Sequence, residues 1–380
     1  MNNRERFLKA LKGEEVDRVP IWLREGIAVV NPPAEAEDYQ RGWQADPIYR
    51  DLLDYVRPHV VDFSPWGLPG NRFLMVPPSS VEWETIEDTP VHRIHKTTIK
   101  TPKGELHQIA EINRNEATNW VRKPMVESID ELEALAAVPF EVDKEAIRNA
   151  VKGYHKAQEQ AGDQWLPRAF LSSPVVCISG AMHLEDFLEF TYTHRDLAHA
   201  LTEETTNRIL ANLEVFFDIE DPDSTFTFGG SEQCTPPMMP AAAFDEFVVP
   251  YEGRIVQWLK ERGKVVNIHC HGKVGHALRG MIEMGADSTE PVEPPPQGDV
   301  TWAEARAIAG DDLTLIGNLE FSELETLEPA EIKKRVCEIL STGKRRVVLG
   351  ASAGPITHVT PRLAGNFKAW IDAALEYGDK

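Results

Sequence analysis

Cysteine is scarce in this chain. Its 380 residues hold four, Cys177, Cys234, Cys270 and Cys337, spread too widely for a disulfide scaffold. They read as reduced thiols of a cytoplasmic protein. Positive charge is also short: 40 Lys and Arg stand against 61 Asp and Glu, a formal net charge of −21. Such an excess of acid argues against nucleic acid or an anionic membrane as a partner. Long apolar runs are missing too. None approaches the ~18 residues of a membrane span, and no cationic, apolar leader precedes "MNNRERFLKA". There is no low-complexity tract and no solenoid repeat of ~20–50 residues.

What is present is ample apolar content, 42% of the residues. The length would serve two domains, but α/β barrels carry as much in one, and a single domain over 1–380 is the expectation. Short β-rich runs recur along the chain. They are "VPIWL" (19–23), "VVDFS" (60–64), "LPRAFLSS" (166–173), "TFTFGG" (225–230), "VVNIHCHG" (265–272), "ADSTEP" (286–291), "LTLIGN" (313–318) and "RVVLGAS" (346–352). Most of the later ones follow an amphipathic segment. The clearest is "PAAAFDEFVVPYEGRIVQWLKERG" (240–263), with apolar spacing near 3.6 and a Gly stop. Eight strands alternating with helices predict a (β/α)8 TIM barrel of the α/β class. Residues 80–125 break the rhythm: polar and β-branched residues alternate, and Pro-Lys-Gly supplies a turn. They predict an antiparallel excursion inserted after the second strand. The helical "ERFLKALKG" near the N-terminus is expected to pack on the barrel bottom or side.

Working residues of such barrels sit at the C-terminal ends of strands. Those ends carry Glu232 and Cys234, then His269, Cys270 and His271, then Glu290 with Glu293 shortly after, then Asn318 and Glu320, and finally Ser352. Side chains alternate along a strand, so His269 and His271 share one side and Cys270 turns away. Two imidazoles on one side suit zinc or a similar divalent ion, given one or two further ligands. Glu290 and Glu232, from the two flanking strands, are the candidates. Packed, hydrogen-bonded histidines are the plainer alternative, and the convergence of three strand ends favours the metal. Arg24 and Glu25 fall at the end of the first strand, where an arginine can hold a carboxylate bidentately or pair with the N-terminal helix. Asn318 can meet a substrate or cap the next helix. Trp22, Trp66 and Phe170 suit an apolar pocket or an ordinary barrel interior, and His183 reads as structural.

The stretch "NRERFLKALKGEEVDRVPIWLREG" resembles the N-terminal signature of the uroporphyrinogen decarboxylase superfamily. The likeness extends through "PPMMPAAAFDEFVVPY", "HCHGKV", "MGADSTEPVEPPPQGDVTWAEAR", "LIGNLE" and "TPRLAGNFKAWIDAALEYG". The resemblance implies a TIM barrel and one of two chemistries. One is metal-free decarboxylation in the haem pathway. The other is zinc-dependent methyl transfer among methylated compounds, corrinoid proteins and thiol or folate acceptors. The decarboxylases carry an arginine-rich "RQAGR"-like stretch, of which this chain keeps only Arg24. The methyltransferases carry His-x-Cys-Gly, where this chain has His269-Cys270-His271-Gly272, and a late cysteine, where it has Ala351, Ser352 and Ala353.

The strand-end residues thus give a metal set of His269, His271, Glu290 and Glu232, rich in nitrogen and oxygen, where the resemblance would imply a sulfur-containing one. Such a set is more Lewis-acidic than a thiolate-rich one. Glu232, Glu290, Arg24 and Asn318 are the candidate catalytic residues. The expected activity is a demethylase-type methyl transfer from a small O- or N-methyl compound to a corrinoid. No Asp-x-His-x-x-Gly motif is present, so the corrinoid belongs to a partner protein. A homodimer follows by analogy. The alternative is a decarboxylase-like lyase using Arg24 without a corrinoid. A metal-dependent hydrolase of His-x-His type ranks lower, because that pair normally lies on the first strand.

Overall fold

The computed structural model describes residues 1–24 and 26–378, so Glu25 lies outside the described residues. Eight parallel strands form one curved sheet: β1 (Ile21–Trp22), β2 (Phe63–Trp66), β7 (Leu166–Ser172), β8 (Thr225–Gly229), β9 (Val265–His269), β10 (Ser288–Glu290), β11 (Thr314–Leu319) and β12 (Val347–Ala351). Their order, β1-β12-β11-β10-β9-β8-β7-β2, is that of a TIM-like barrel. The Val61 N–H donates to the Ile21 carbonyl at 2.9 Å, linking the two ends of the sheet. Each of the eight β-rich runs in the sequence supplies one strand. Strands β8, β11 and β12 are buried along their whole length, as parallel strands with packing on both faces must be.

The remaining four strands, β3 (Val81–Asp88), β4 (His92–Thr101), β5 (Gly104–Asn113) and β6 (Trp120–Lys123), form the antiparallel insertion. Thr101 pairs with Gly104, so Pro102 and Lys103 make the turn. Ile99 and Leu106 are buried and anchor the sheet. The Ala117 N–H reaches the Ile356 carbonyl at 3.0 Å, tying the insertion to the loop after β12.

The N-terminal helix, Asn3–Leu11, closes the bottom of the barrel. Its Phe7, Ala10 and Leu11 form one buried cluster with Trp22, Phe63, Ile316 and Val348. The Thr314 hydroxyl donates to the Ala10 and Leu11 carbonyls at 3.2 and 3.1 Å. Trp22 meets Phe63 edge-on at 5.0 Å, and Trp66 stacks outside the barrel on Phe216 at 4.9 Å. Neither therefore lines the mouth.

The amphipathic stretch 240–263 is two helices rather than one, Ala242–Phe247 and Val249–Glu261. Pro250 is the reason: it lacks an N–H to continue the first helix but suits the first turn of the second. Gly285, with φ at +85°, ends the helix Ala277–Met284 in the left-handed conformation that glycine tolerates. No helix among the described residues is long and apolar enough to cross a membrane.

Candidate active site

The register of β9 sets the site. Gly229 of β8 pairs with His269, and His269 pairs with Glu290 of β10. Three neighbouring strand ends thus stand level. Cys270 is fully buried in the outer core, and burial pushes its thiol well above the ordinary cysteine value. The rings of His269 and His271 meet edge-on with centroids 4.7 Å apart. The cysteine therefore faces the helices, as alternation along the strand requires, while the imidazoles face each other.

Each imidazole turns Nδ1 towards a carboxylate. His269 Nδ1 lies 3.0 Å from Glu290 Oε2, and His271 Nδ1 lies 3.1 Å from Glu293 Oε1. Glu293 also accepts from the Gly272 N–H. Burial pushes the Glu293 carboxyl up, but the hydrogen bonds from His271 and Gly272 outweigh it and hold the group below its ordinary value. An ionised Glu293 can only accept, which places the proton of His271 on Nδ1. The loop of Glu293 closes tightly: a Cβ on Gly298 would lie 1.9 Å from the Glu293 carbonyl oxygen, so only glycine fits there.

Glu290 is almost completely buried, and each of its oxygens is engaged. Oε2 is ion-paired with Arg24 and faces His269; Oε1 accepts from Asn267 Nδ2 at 3.2 Å. Asn267 is held in turn by the Ser288 hydroxyl at 2.8 Å. Arg24 adopts a left-handed backbone, φ +71°, costly for a residue with a Cβ. Its Nη1 lies 3.2 Å from His269 Nδ1. Arg24, Glu290 and the partly buried His269 therefore form one unit, although Arg24 lies some 245 residues before His269 in the chain.

Glu232 sits in the single turn Ser231–Cys234 that follows β8. Its Oε2 is shut off from solvent without a hydrogen-bond partner. Burial pushes its carboxyl up; His271 opposes that shift and Glu293 adds to it, so all three lie within electrostatic reach. Neighbouring Cys234 is buried, and burial pushes its thiol up to about 12. Asn318 is buried at the end of β11, level with Gly350 of β12. Glu320, two residues on, repeats the pattern of Glu232: burial raises its carboxyl, and Oε2 is buried without a partner. Ser352 accepts from the Phe321 N–H at 2.9 Å and holds this corner.

Phe170 completes the mouth. It belongs to the inward series of β7 with Arg168, whose guanidinium lies over Trp22 and Phe63 inside the barrel. A Cβ on Gly229 would strike the Phe170 ring at 2.2 Å. The ring therefore lies over Gly229, the register neighbour of His269, and it is 43% exposed. An inward-facing aromatic with that exposure can only be facing the open mouth. His183 immediately precedes the helix Leu184–Thr193 and stands outside this group.

The donors suit a divalent ion in kind: two imidazoles with Nδ1 turned to carboxylates, and a buried carboxylate oxygen without a partner. They are not gathered around one point. Among the described residues, no three His, Cys, Asp or Glu side chains stand close enough to hold an ion.

The sequence profile described as Uroporphyrinogen decarboxylase (URO-D) matches residues 111–377. The chain belongs to that family. The match starts inside the insertion, so the N-terminal likeness at "NRERFLKALKGEEVDRVPIWLREG" lies outside it. Among solved structures, a methyltransferase from Methanosarcina mazei aligns over 99% of both chains with a TM-score of 0.59 and 18% identity. A B12-independent methionine synthase from Shewanella sp. W3-18-1, in complex with selenomethionine, aligns over 94% of both chains with a TM-score of 0.45 and 11% identity. At such identities the first likeness is one of fold. No curated protein matches the chain.

Sequence reasoning named Glu232, His269, His271, Glu290, Arg24 and Asn318, and the fold brings them to one end of the barrel. It missed Asn267 beneath Glu290 and did not single out Glu252, fully buried on the helix Val249–Glu261. A signal for Glu252 was present. It falls on the apolar stripe formed by Val248, Val249, Ile255, Val256 and Leu259, where a charged residue is out of place.

Proposed function

We propose that this chain transfers a methyl group, linked through oxygen or nitrogen, from a small donor to a corrinoid held by a partner protein. The observation that carries the reading is the pair of imidazoles at the end of β9, each braced by a carboxylate, with the partnerless buried oxygen of Glu232 within electrostatic reach of His271. In this reading His269, His271 and Glu232 hold a divalent ion, zinc by the chemistry of the donors, and binding draws Glu232 towards the two rings. Glu290 and Glu293 act from behind by fixing the two rings. When bound, the ion supplies a Lewis acid for the atom that the methyl group leaves.

The chain's own residues do the rest. Arg24 neutralises Glu290 and so keeps one buried negative charge compensated. Phe170 gives the donor an apolar wall, and Asn318 offers it a hydrogen-bonding group at the opposite side of the mouth. The reading takes no thiolate as a ligand, since Cys234 and Cys270 both lie in the buried core. The decarboxylase reading needs Arg24 to grip a substrate carboxylate, and here that guanidinium is engaged with Glu290.

The test is an assay of purified protein with cob(I)alamin and a panel of O- and N-methyl donors, followed by the absorbance of methylcobalamin. Methyl transfer that falls at least a hundredfold in His271→Ala and after chelation supports the reading. Undiminished transfer by metal-stripped protein, or release of carbon dioxide in place of methyl transfer, overturns it.

A further inference from the structure

Glu252 is the most deeply buried carboxylic acid near the site, and the chemistry above does not use it. It lies in the first turn of the helix Val249–Glu261 and has no solvent exposure. Its Oε2 accepts from the Ser231 hydroxyl at 3.1 Å. Ser231 opens the turn that carries Glu232, directly after Gly230, whose φ is +96°. Close by is Ser173, which precedes the helix Pro174–Ser179 at the end of β7. Ser173 Oγ and Glu252 Oε1 are both sealed from water and without a hydrogen-bond partner, although Ser173 lies near enough to act on the Glu252 carboxyl. Both serines are fully buried.

The groups acting on Glu252 are these two serines and Glu232, and no cation is among them. An ionised carboxylate would be costly there, and burial accordingly pushes the group up to about 7. In its neutral form the carboxyl group accepts from Ser231 through Oε2 and can donate from Oε1 to Ser173. A leucine would cost less to bury, so stability alone gives no reason for a carboxyl group at this point.

We infer that Glu252 is a positioning residue: a buried acid that clips the segments after β7 and β8 together and so fixes the turn that presents Glu232 at the mouth. The role rests on the proposed place of Glu232 in the site. Two features support it. The clip engages the residue next to Glu232, and it adds a side-chain tie to a segment otherwise held by the Ser173 N–H on the Gly229 carbonyl at 3.1 Å, the Gln233 N–H on the Gly230 carbonyl at 3.2 Å, and the Thr235 N–H and hydroxyl on the Glu232 carbonyl at 3.1 and 2.9 Å. Glutamine has the right shape and both functions, an acceptor for Ser231 and a donor for Ser173. Leucine has the volume alone.

The experiment uses full-length protein with Glu252→Gln, Glu252→Leu and Ser231→Ala. It measures amide hydrogen exchange over residues 229–236, zinc affinity by competition with a chromophoric chelator, and the urea midpoint. Glu252→Leu is expected to speed exchange in this segment at least tenfold and to weaken zinc at least tenfold. Glu252→Gln should stay within threefold of wild type on both. A folded Glu252→Leu protein with unchanged exchange in this segment overturns the inference, as does a Gln variant as impaired as the Leu variant. If Glu252→Leu does not fold, Ser231→Ala decides: faster exchange over 229–236 supports the clip, and unchanged exchange refutes it. Wild-type protein that binds no zinc defeats the metal reading alone, since the exchange data still decide the role of Glu252.

Discussion

At the mouth of the barrel His271 depends on Glu293, which accepts its Nδ1 proton at 3.1 Å. Removing such a partner from a metal-bound histidine typically costs about 10–100-fold in metal affinity. Glu293→Gln is expected to weaken zinc by that factor while leaving the fold intact, as titration with a competing chelator will show. Glu252 gives a second residue-scale prediction, with a definite sign. Burial raises its carboxyl from 4.5 to about 7, so between those values the folded protein holds a proton that the unfolded chain has lost. Stability from this group is complete below the lower value and is lost as pH rises through the upper one. Across that window the difference amounts to roughly 3 kcal/mol. Urea unfolding at pH 5 and pH 8 should therefore show a smaller fall for Glu252→Gln than for wild type; an equal fall would count against a buried proton. His269 and His271 were legible because strand alternation alone places them on one side. The partners of Glu290 were not. Its ion pair with Arg24 joins β10 to the segment after β1, and no local pattern relates those positions.

Among the elements, the helix Asn3–Leu11 performs the plainest task, which is to plug the barrel bottom. Phe7 is buried there against Phe63 at 5.4 Å. Truncating a core phenylalanine usually costs about 3–5 kcal/mol. Phe7→Ala should lower the urea midpoint accordingly yet leave ligand affinity at the opposite end within about twofold, since well-separated sites act independently. A loss of zinc binding equal to that of His271→Ala would show that plug and mouth are coupled. Most of the eight strands were legible as short apolar or β-branched runs, β10 as part of "ADSTEP" between the helix before it and the prolines after it, and the insertion because its alternation has period two. The break at Val248 was harder to see. The apolar spacing runs through it unchanged, and only Pro250 marks the restart. Phe170 was ambiguous for a similar reason. Its inward direction follows from parity, but its exposure depends on the open mouth above Gly229, which sequence does not reveal.

The whole molecule carries a net charge of −21, and its candidate site gathers glutamates at one end of the barrel. Internal pairing offsets part of that charge, since Arg24 answers Glu290. Glu232 and Glu320 are left with buried oxygens that have no hydrogen-bond partner. A bound cation would relieve Glu232 first, because it lies within electrostatic reach of His271. The protein as a whole should then gain stability from the ion, by about 2.7 kcal/mol at a hundredfold excess over the dissociation constant. Thermal unfolding with and without zinc, at fixed ionic strength, measures that gain.

The most direct measurement is anomalous diffraction at the zinc edge from crystals of the metal-loaded protein. The account predicts one strong peak at the mouth, about 2.0–2.1 Å from Nε2 of both His269 and His271, with a Glu232 oxygen as a third ligand. Zinc-loaded crystals with no peak between those two rings, or with the metal bound elsewhere on the barrel, would contradict it.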